Sequence, residues 1–232
     1  MPPDARPAAT VSGAARAADA PLVRFDRRTR VLHWVNATLF FVLMLTGAAL
    51  YAGPVSQIVG NRELVRFVHV YVGLALPIPL LLAILGHRGA RVRNDLSRLN
   101  RWSRDDTRWF RRRHRRTLRL GKFNPGQKLN AAFIAGAGLV MLATGSIMHW
   151  FEAFPLDYRT GATFVHDWFA IGIWLAVIGH IVFAVRDGDA LEGMIKGDVP
   201  AKWARTKAPL WYREERQHAA ADPDPTPEHT EP

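Results

Sequence analysis

The chain has 232 residues, 49 % of them hydrophobic, which is enough apolar mass for a buried core and argues against a disordered chain. With no cysteine it cannot form disulfides, thiolate zinc sites, iron-sulfur ligation or c-type haem attachment, and its metal-ligating side chains are His, Met and carboxylates. Thirty-one Lys/Arg against twenty Asp/Glu give a net charge of +11. That excess would suit a nucleic-acid binder if it covered a soluble surface, but it is concentrated in tails and one loop.

Residues 1–30 are Ala- and Pro-rich with scattered Arg and lack the apolar run of a secretory signal, so they read as a flexible N-terminal tail. Residues 31–52 and 129–151 contain no Asp, Glu, Lys or Arg; residues 64–85 carry only Arg66 and 162–185 only Asp167. At about 1.5 Å per residue each stretch covers the roughly 30 Å hydrocarbon layer of a bilayer. Helices of a soluble bundle would show a polar face at 3.6-residue spacing, and these are apolar nearly all round. Pro77 and Pro79 predict a kink in the second span, which membranes tolerate when neighbours satisfy the freed carbonyls. The segment 86–122 holds fourteen Lys/Arg and three acids, including the run RRRHRR at 111–116, whereas 53–63 and 152–161 hold one basic residue each. Positive-inside bias puts the basic loop in the cytoplasm together with both termini. The basic run reads as a topology determinant or a contact with anionic lipids, with no nucleic-acid partner expected. Residues 186–232 form a polar cytoplasmic C-terminal tail with an aromatic and basic patch at 202–215 and a disordered end. The expected fold class is all-α, an integral membrane four-helix bundle over 31–185, N-in and C-in, without an internal repeat.

Five histidines lie inside the spans: His33, His69, His149, His166 and His180. Ionisable groups in a bilayer are costly and mark function unless they sit at a helix end and reach the headgroups. His33 and His180 fall near the cytoplasmic ends of the first and fourth spans, and His69 and His166 near the outer starts of the second and fourth. His166 and His180 are fourteen residues apart, which in a helix returns to within roughly 40° of the same direction and advances about 21 Å. Two b-type haems, one between His33 and His180 and one between His69 and His166, satisfy spacing, topology and the need to occupy imidazole nitrogens in apolar surroundings. Gly47, Gly136, Gly138 and Gly145 could admit a porphyrin edge or simply allow helices to pack closely. His149, beside Trp150, is the competitor to His69 and otherwise an interfacial residue; His87 competes with His33 from among arginines.

Bis-histidine ligation fills the iron's coordination sphere and suits one-electron transfer. The chain carries no motif for a nicotinamide, flavin or molybdenum cofactor, so the electron source is expected to be another subunit. In KFNPGQK (122–128), Asn124 and Gln127 can hydrogen-bond a quinone carbonyl and Lys128 can supply charge; the same letters also read as a turn before a helix.

The elements LHW (32–34), RFVHVYVG (66–73), KFNPGQK (122–128) and FVHDWFAIGIWLAVIGH (164–180), with GMIKG, KWA and WYRE in the tail, resemble the cytochrome b (gamma) subunit of membrane-bound, quinone-linked formate dehydrogenases. The resemblance spans roughly residues 24–215. It implies a respiratory electron-transport subunit of the inner membrane, part of a three-subunit enzyme. A molybdenum- or tungsten-containing alpha subunit oxidises formate, which this chain has no site to do, and an iron-sulfur beta subunit relays electrons. By the resemblance His69 and His166 bind the outer haem iron and His33 and His180 the inner one, and menaquinone or ubiquinone is reduced near the cytoplasmic side by a pocket containing Asn124, Gly126, Gln127 and His180. The arginine run departs from the family pattern. Two other readings stand beside it: the di-haem cytochrome b of a membrane hydrogenase or related quinone-linked oxidoreductase, and a haem-free membrane anchor.

Overall fold

The computed structural model describes residues 19–54, 57, 60–111 and 118–221. Most of the RRRHRR run, the first eighteen residues and the acidic end lie outside these residues. Two compact units emerge, one formed by residues 27–100 and 128–186 and the other by residues up to 26, 101–127 and from 187 onward.

The first unit holds four helical segments long and apolar enough to cross a membrane. They are α1 (Arg27–Tyr51), α2 (Arg62–Ala75) continued by α3 (Ile78–Leu85), α6 (Pro125–His149) and α7 (Leu156–Arg186). The helices begin up to six residues ahead of the apolar runs, because polar residues with helix-compatible backbones extend the first turns beyond the hydrocarbon-length stretch. The break between α2 and α3 falls at the expected prolines: Pro77 has no N–H for the Gly73 carbonyl, which instead accepts from Leu76 N–H at 3.3 Å. Asn61 caps α2, its Oδ1 accepting from Leu64 N–H at 2.9 Å. The interior contact joins Met44 of α1, Ala137 of α6 and Ile173 of α7, flanked by Phe40, Met141, Phe169 and Val177. Outward, Leu45, Leu139, Leu175 and Phe183 are 63–70 % exposed, an apolar girdle that suits lipid and not water. Beyond α3, a further helix α4 (Ala90–Asn100) follows, tied back by Arg93, whose Nη1 donates to Ile84 O at 2.7 Å.

The second unit contains α5 (Arg104–Trp109), α8 (Gly188–Ile195), α9 (Ala201–Lys207), α10 (Pro209–Ala221) and a two-stranded antiparallel ribbon, β1 (Leu22–Val23) with β2 (Asp198–Val199). Register pairs Leu22 with Val199 and Val23 with Asp198. Here the structure corrects two expectations. Residues 19–30 are not all tail: Leu22, Arg24 and Phe25 are buried. Residues 187–221 are not a polar tail either, since Leu22, Val199, Ala201, Trp203, Ala204, Ala208 and Trp211 make a hydrophobic core. Each short segment has too few apolar residues to signal a core alone; burial appears only when strands 175 residues apart pair. The loop 86–122 likewise contains α4 and α5, the latter closed by a capping box in which Asp106 N–H donates to Ser103 Oγ at 3.2 Å and Ser103 N–H to Asp106 Oδ2 at 2.7 Å.

Polar anchors complete this unit. Asp187 caps α8 and accepts from Trp203 Nε1 at 2.8 Å. Gly197, with φ of 114°, takes a backbone conformation that only glycine adopts cheaply, and its carbonyl accepts from Arg24 and Phe25 N–H at 2.7 and 2.9 Å. Arg24 stacks over the Trp203 and Phe25 rings, 4.4 and 5.0 Å from their centres, and donates to Lys122 O at 3.2 Å. A methyl at Gly193 would lie 2.7 Å from Cγ1 of Val199, which is itself 1 % exposed and hemmed in. Gly193→Ala should therefore cost about 1–3 kcal/mol by overpacking. Thermal unfolding of the detergent-solubilised variant, followed by intrinsic fluorescence, should show a lower midpoint than wild type; an equal midpoint would mean that Val199 can move aside.

Candidate functional site

Four imidazoles meet in two pairs within the first unit. α1 carries His33 and α7 carries His180, with ring centres 6.1 Å apart and planes inclined by 54°. α2 carries His69, which faces His166 of α7 at 6.3 Å and 68°. The continuous helix α7 sets both pairs, because its fourteen-residue spacing keeps His166 and His180 on one side at two depths. The competitors lie elsewhere. His149 packs edge-on against Trp150 at 5.2 Å and lines an open cleft of about 470 Å³ with Asn61, Arg66 and Tyr71, and His87 is exposed.

The separations test whether a metal fits. An imidazole nitrogen binds a first-row metal at about 2.0 Å and lies roughly 1.1 Å from its ring centre, so two imidazoles sharing one ion from opposite sides would hold their centres about 6.2 Å apart. Both observed pairs agree with that value to within 0.2 Å. Among the described residues no group of three or more His, Asp or Glu side chains gathers to bind a bare ion. Two imidazole nitrogens would suffice for an iron that brings its remaining donors with it, so this donor set suits haem.

Two threonines, absent from the sequence-derived candidates, hold the second pair. Thr46 Oγ1 of α1 lies 2.9 Å from His69 Nδ1, and Thr144 Oγ1 of α6 lies 2.9 Å from His166 Nδ1. Each threonine is followed by a glycine against the same ring: a methyl at Gly47 would stand 3.2 Å from His69 Cε1, and one at Gly145 would stand 3.4 Å from His166 Cε1. At Gly136 and Gly138 a methyl would meet nothing within 4 Å. The available signal was the Thr-Gly pair itself, occurring 23 residues before His69 and 22 before His166. It recurs in both halves of the bundle although no longer repeat surrounds it.

The 122–128 turn starts α6. Asn124 N–H donates to Gln127 Oε1 at 2.9 Å, and Gln127 N–H to Asn124 Oδ1 at 3.0 Å, a reciprocal cap with Pro125 at the first helical position. Both side-chain oxygens are thereby occupied, and the two NH₂ groups are what remains to address a ligand carbonyl. Gly126 admits the Trp109 ring, whose Cη2 would be 3.3 Å from an added methyl.

Comparison with known proteins matches residues 24–197, three quarters of the chain, to the family described as prokaryotic cytochrome b561. The chain is 25 % identical to the formate dehydrogenase cytochrome b556 subunit of Haemophilus influenzae, covering 85 % of this chain and 84 % of that protein. It is 25 % identical to the nitrate-inducible formate dehydrogenase cytochrome b556(Fdn) subunit of Escherichia coli K12, covering 83 % and 91 %. With a probable Ni/Fe-hydrogenase B-type cytochrome subunit of Bradyrhizobium diazoefficiens it shares 26 % identity over 84 % and 93 % of the two chains. Apolar helices of membrane length, paired imidazoles and a match across most of the chain converge: the protein belongs to the prokaryotic cytochrome b561 family, as a multi-pass membrane cytochrome with b-type haem.

Proposed function

We propose that the chain is the di-haem membrane subunit of a formate dehydrogenase complex, conducting electrons from an iron-sulfur subunit across the membrane to a quinone on the cytoplasmic side. The observation that carries this reading is the pair of imidazole couples, 6.1 and 6.3 Å between ring centres, at two depths of one apolar bundle. His33 and His180 would hold the inner haem and His69 and His166 the outer one. Haem held by these histidines would supply one-electron chemistry.

The protein's own contribution is placement. α7 sets the spacing between the couples, and basic residues between 86 and 122 would hold that end of the chain in the cytoplasm, with both termini. Asn124, Gly126 and Gln127, with His180, are the proposed quinone contacts. Asn124 and Gln127 would present amide N–H donors to a quinone carbonyl while their oxygens maintain the helix cap. The formate relatives, themselves cytochrome subunits of formate dehydrogenases, support a complex with further subunits; an iron-sulfur subunit and a molybdenum- or tungsten-containing subunit that oxidises formate are the proposed partners.

The hydrogenase relative supports a second reading with the same bundle and a nickel-iron partner. Affinity purification from native membranes separates the two: a molybdopterin-containing subunit is expected to accompany the chain, and a nickel-iron subunit in its place would favour hydrogenase.

Site variants give sharper outcomes. His180→Ala and His166→Ala should each lower the haem-to-protein ratio from two to one, with different absorption components surviving. Loss of both haems from a folded single variant, or of neither, would contradict the pairing. Asn124→Asp keeps an oxygen for the Gln127 N–H but removes the amide donor, so helix capping should persist within about 0.5 kcal/mol. Quinone reduction should drop by about tenfold, the loss of one hydrogen bond worth 1–1.5 kcal/mol, while haem reduction by dithionite is unaffected. Wild-type turnover in that variant would leave Asn124 a capping residue alone.

A further inference from the structure

We propose that Thr46 and Thr144 are positioning residues that set the reduction potential of the haem held by His69 and His166 below that of the haem held by His33 and His180. The inference rests on the di-haem reading above and adds to it a direction of electron flow built into the side chains.

The polarity of each contact follows from counting protons. A threonine hydroxyl has one hydrogen. Thr46 spends it on its own helix, 2.6 Å from Val42 O and 3.2 Å from Leu43 O. Thr144 does the same, 2.8 Å from Val140 O and 3.3 Å from Met141 O. The oxygen facing each imidazole at 2.9 Å must therefore accept, and Nδ1 of His69 and His166 must donate. That assignment selects the Nδ1–H tautomer and leaves the lone pair on Nε2, the nitrogen available to a metal. The glycine after each threonine complements it: the hydroxyl fixes ring rotation and tautomer, and the missing side chain lets the ring edge lie against the neighbouring helix. Two unrelated segments, Thr46-Gly47 and Thr144-Gly145, have arrived at one mount.

The other couple differs. Among the described residues no side chain or carbonyl accepts a hydrogen bond from the imidazole of His33 or His180, whose ring contacts are with each other and between His33 and Trp34. An acceptor on Nδ1–H makes an imidazole a stronger electron donor through Nε2 and so favours the more positive oxidation state of the bound metal. Placed on both ligands of one centre and neither of the other, the acceptors lower the potential of the His69–His166 centre selectively. Both threonines keep the Nδ1 proton in place in either oxidation state, so the exchange is of one electron with no proton. An electron delivered at the outer centre then finds the inner one downhill, which offsets the cost of moving negative charge toward a negatively charged cytoplasm.

The test is a spectroelectrochemical titration of the detergent-purified chain with its accompanying subunits, the centres assigned by their survival in His180→Ala or His166→Ala. Thr46→Val and Thr144→Val remove the hydroxyl acceptor with nearly the same shape, the Leu43 backbone carbonyl remaining beside His69. Each should shift the His69–His166 midpoint upward, changing its reduction equilibrium threefold to tenfold (tenfold is about 59 mV for one electron). The other midpoint and the haem ratio should stay put, and the serine variants should restore wild-type values. Should a valine variant lose haem, Thr46→Ala and Thr144→Ala take its place, with the same shift expected. Two retained haems with unchanged midpoints, or both midpoints moving equally, would overturn the role of the threonines while leaving the di-haem reading intact. A wild-type chain that binds fewer than two haems would overturn that reading and this inference with it.

Discussion

An imidazole nitrogen left unengaged inside hydrocarbon is costly, and that cost gives the placement of the histidines in the membrane unit its physical meaning. Water is not there to satisfy them, and the cost of an unsatisfied polar group in such surroundings is several kcal/mol by transfer scales, about what a small domain has as its whole net stability. Four histidines on three helices come together as two couples. At the His69–His166 couple the second nitrogen is answered as well, by threonine hydroxyls whose own proton is already given to the helix backbone. The proposed haem irons would complete this arrangement at the remaining nitrogens.

Helix α7 is the shared element. A single uninterrupted helix of 31 residues carries one histidine of each couple, so their depths are coupled rigidly and the partners must come to it from α1 and α2. The proline break between α2 and α3 lies after His69 and leaves the first segment intact with its Asn61 cap. The two couples therefore do not depend on a loop for their placement, which is the condition under which a ligand set keeps its geometry through repeated oxidation and reduction.

The second unit achieves order by a different route. Its helices are short and its ribbon has only two residues per strand, dimensions that are marginal in isolation. Trp203 and Trp211 supply apolar area, and their indole N–H groups find carboxylates at Asp187 and Glu215. Arg24 joins the ribbon, the 122–123 segment and α9 through stacking and one hydrogen bond. Leu210 N–H donates to Leu120 O at 3.0 Å, so the segment leading to Asn124 is tied to the packed helices, and Asn124, Gly126 and Gln127 stand on a fixed turn.

The four apolar spans and the spacing that puts His166 and His180 on one side of one helix were legible in the amino-acid order, because helix periodicity and bilayer thickness act locally and leave uninterrupted apolar runs with polar residues at countable offsets. The kink at Pro77 was legible for the same reason, since a missing N–H is a property of one residue. What only the tertiary structure decided were contacts between distant segments. Nothing near Thr46 or Thr144 announces a histidine more than twenty residues away, and a threonine in an apolar helix ordinarily bonds its own backbone, as these two also do. The burial of Leu22, Arg24 and Phe25 against residues 197–211 was hidden likewise, because two half-apolar segments look like tails until each provides the surface that the other covers.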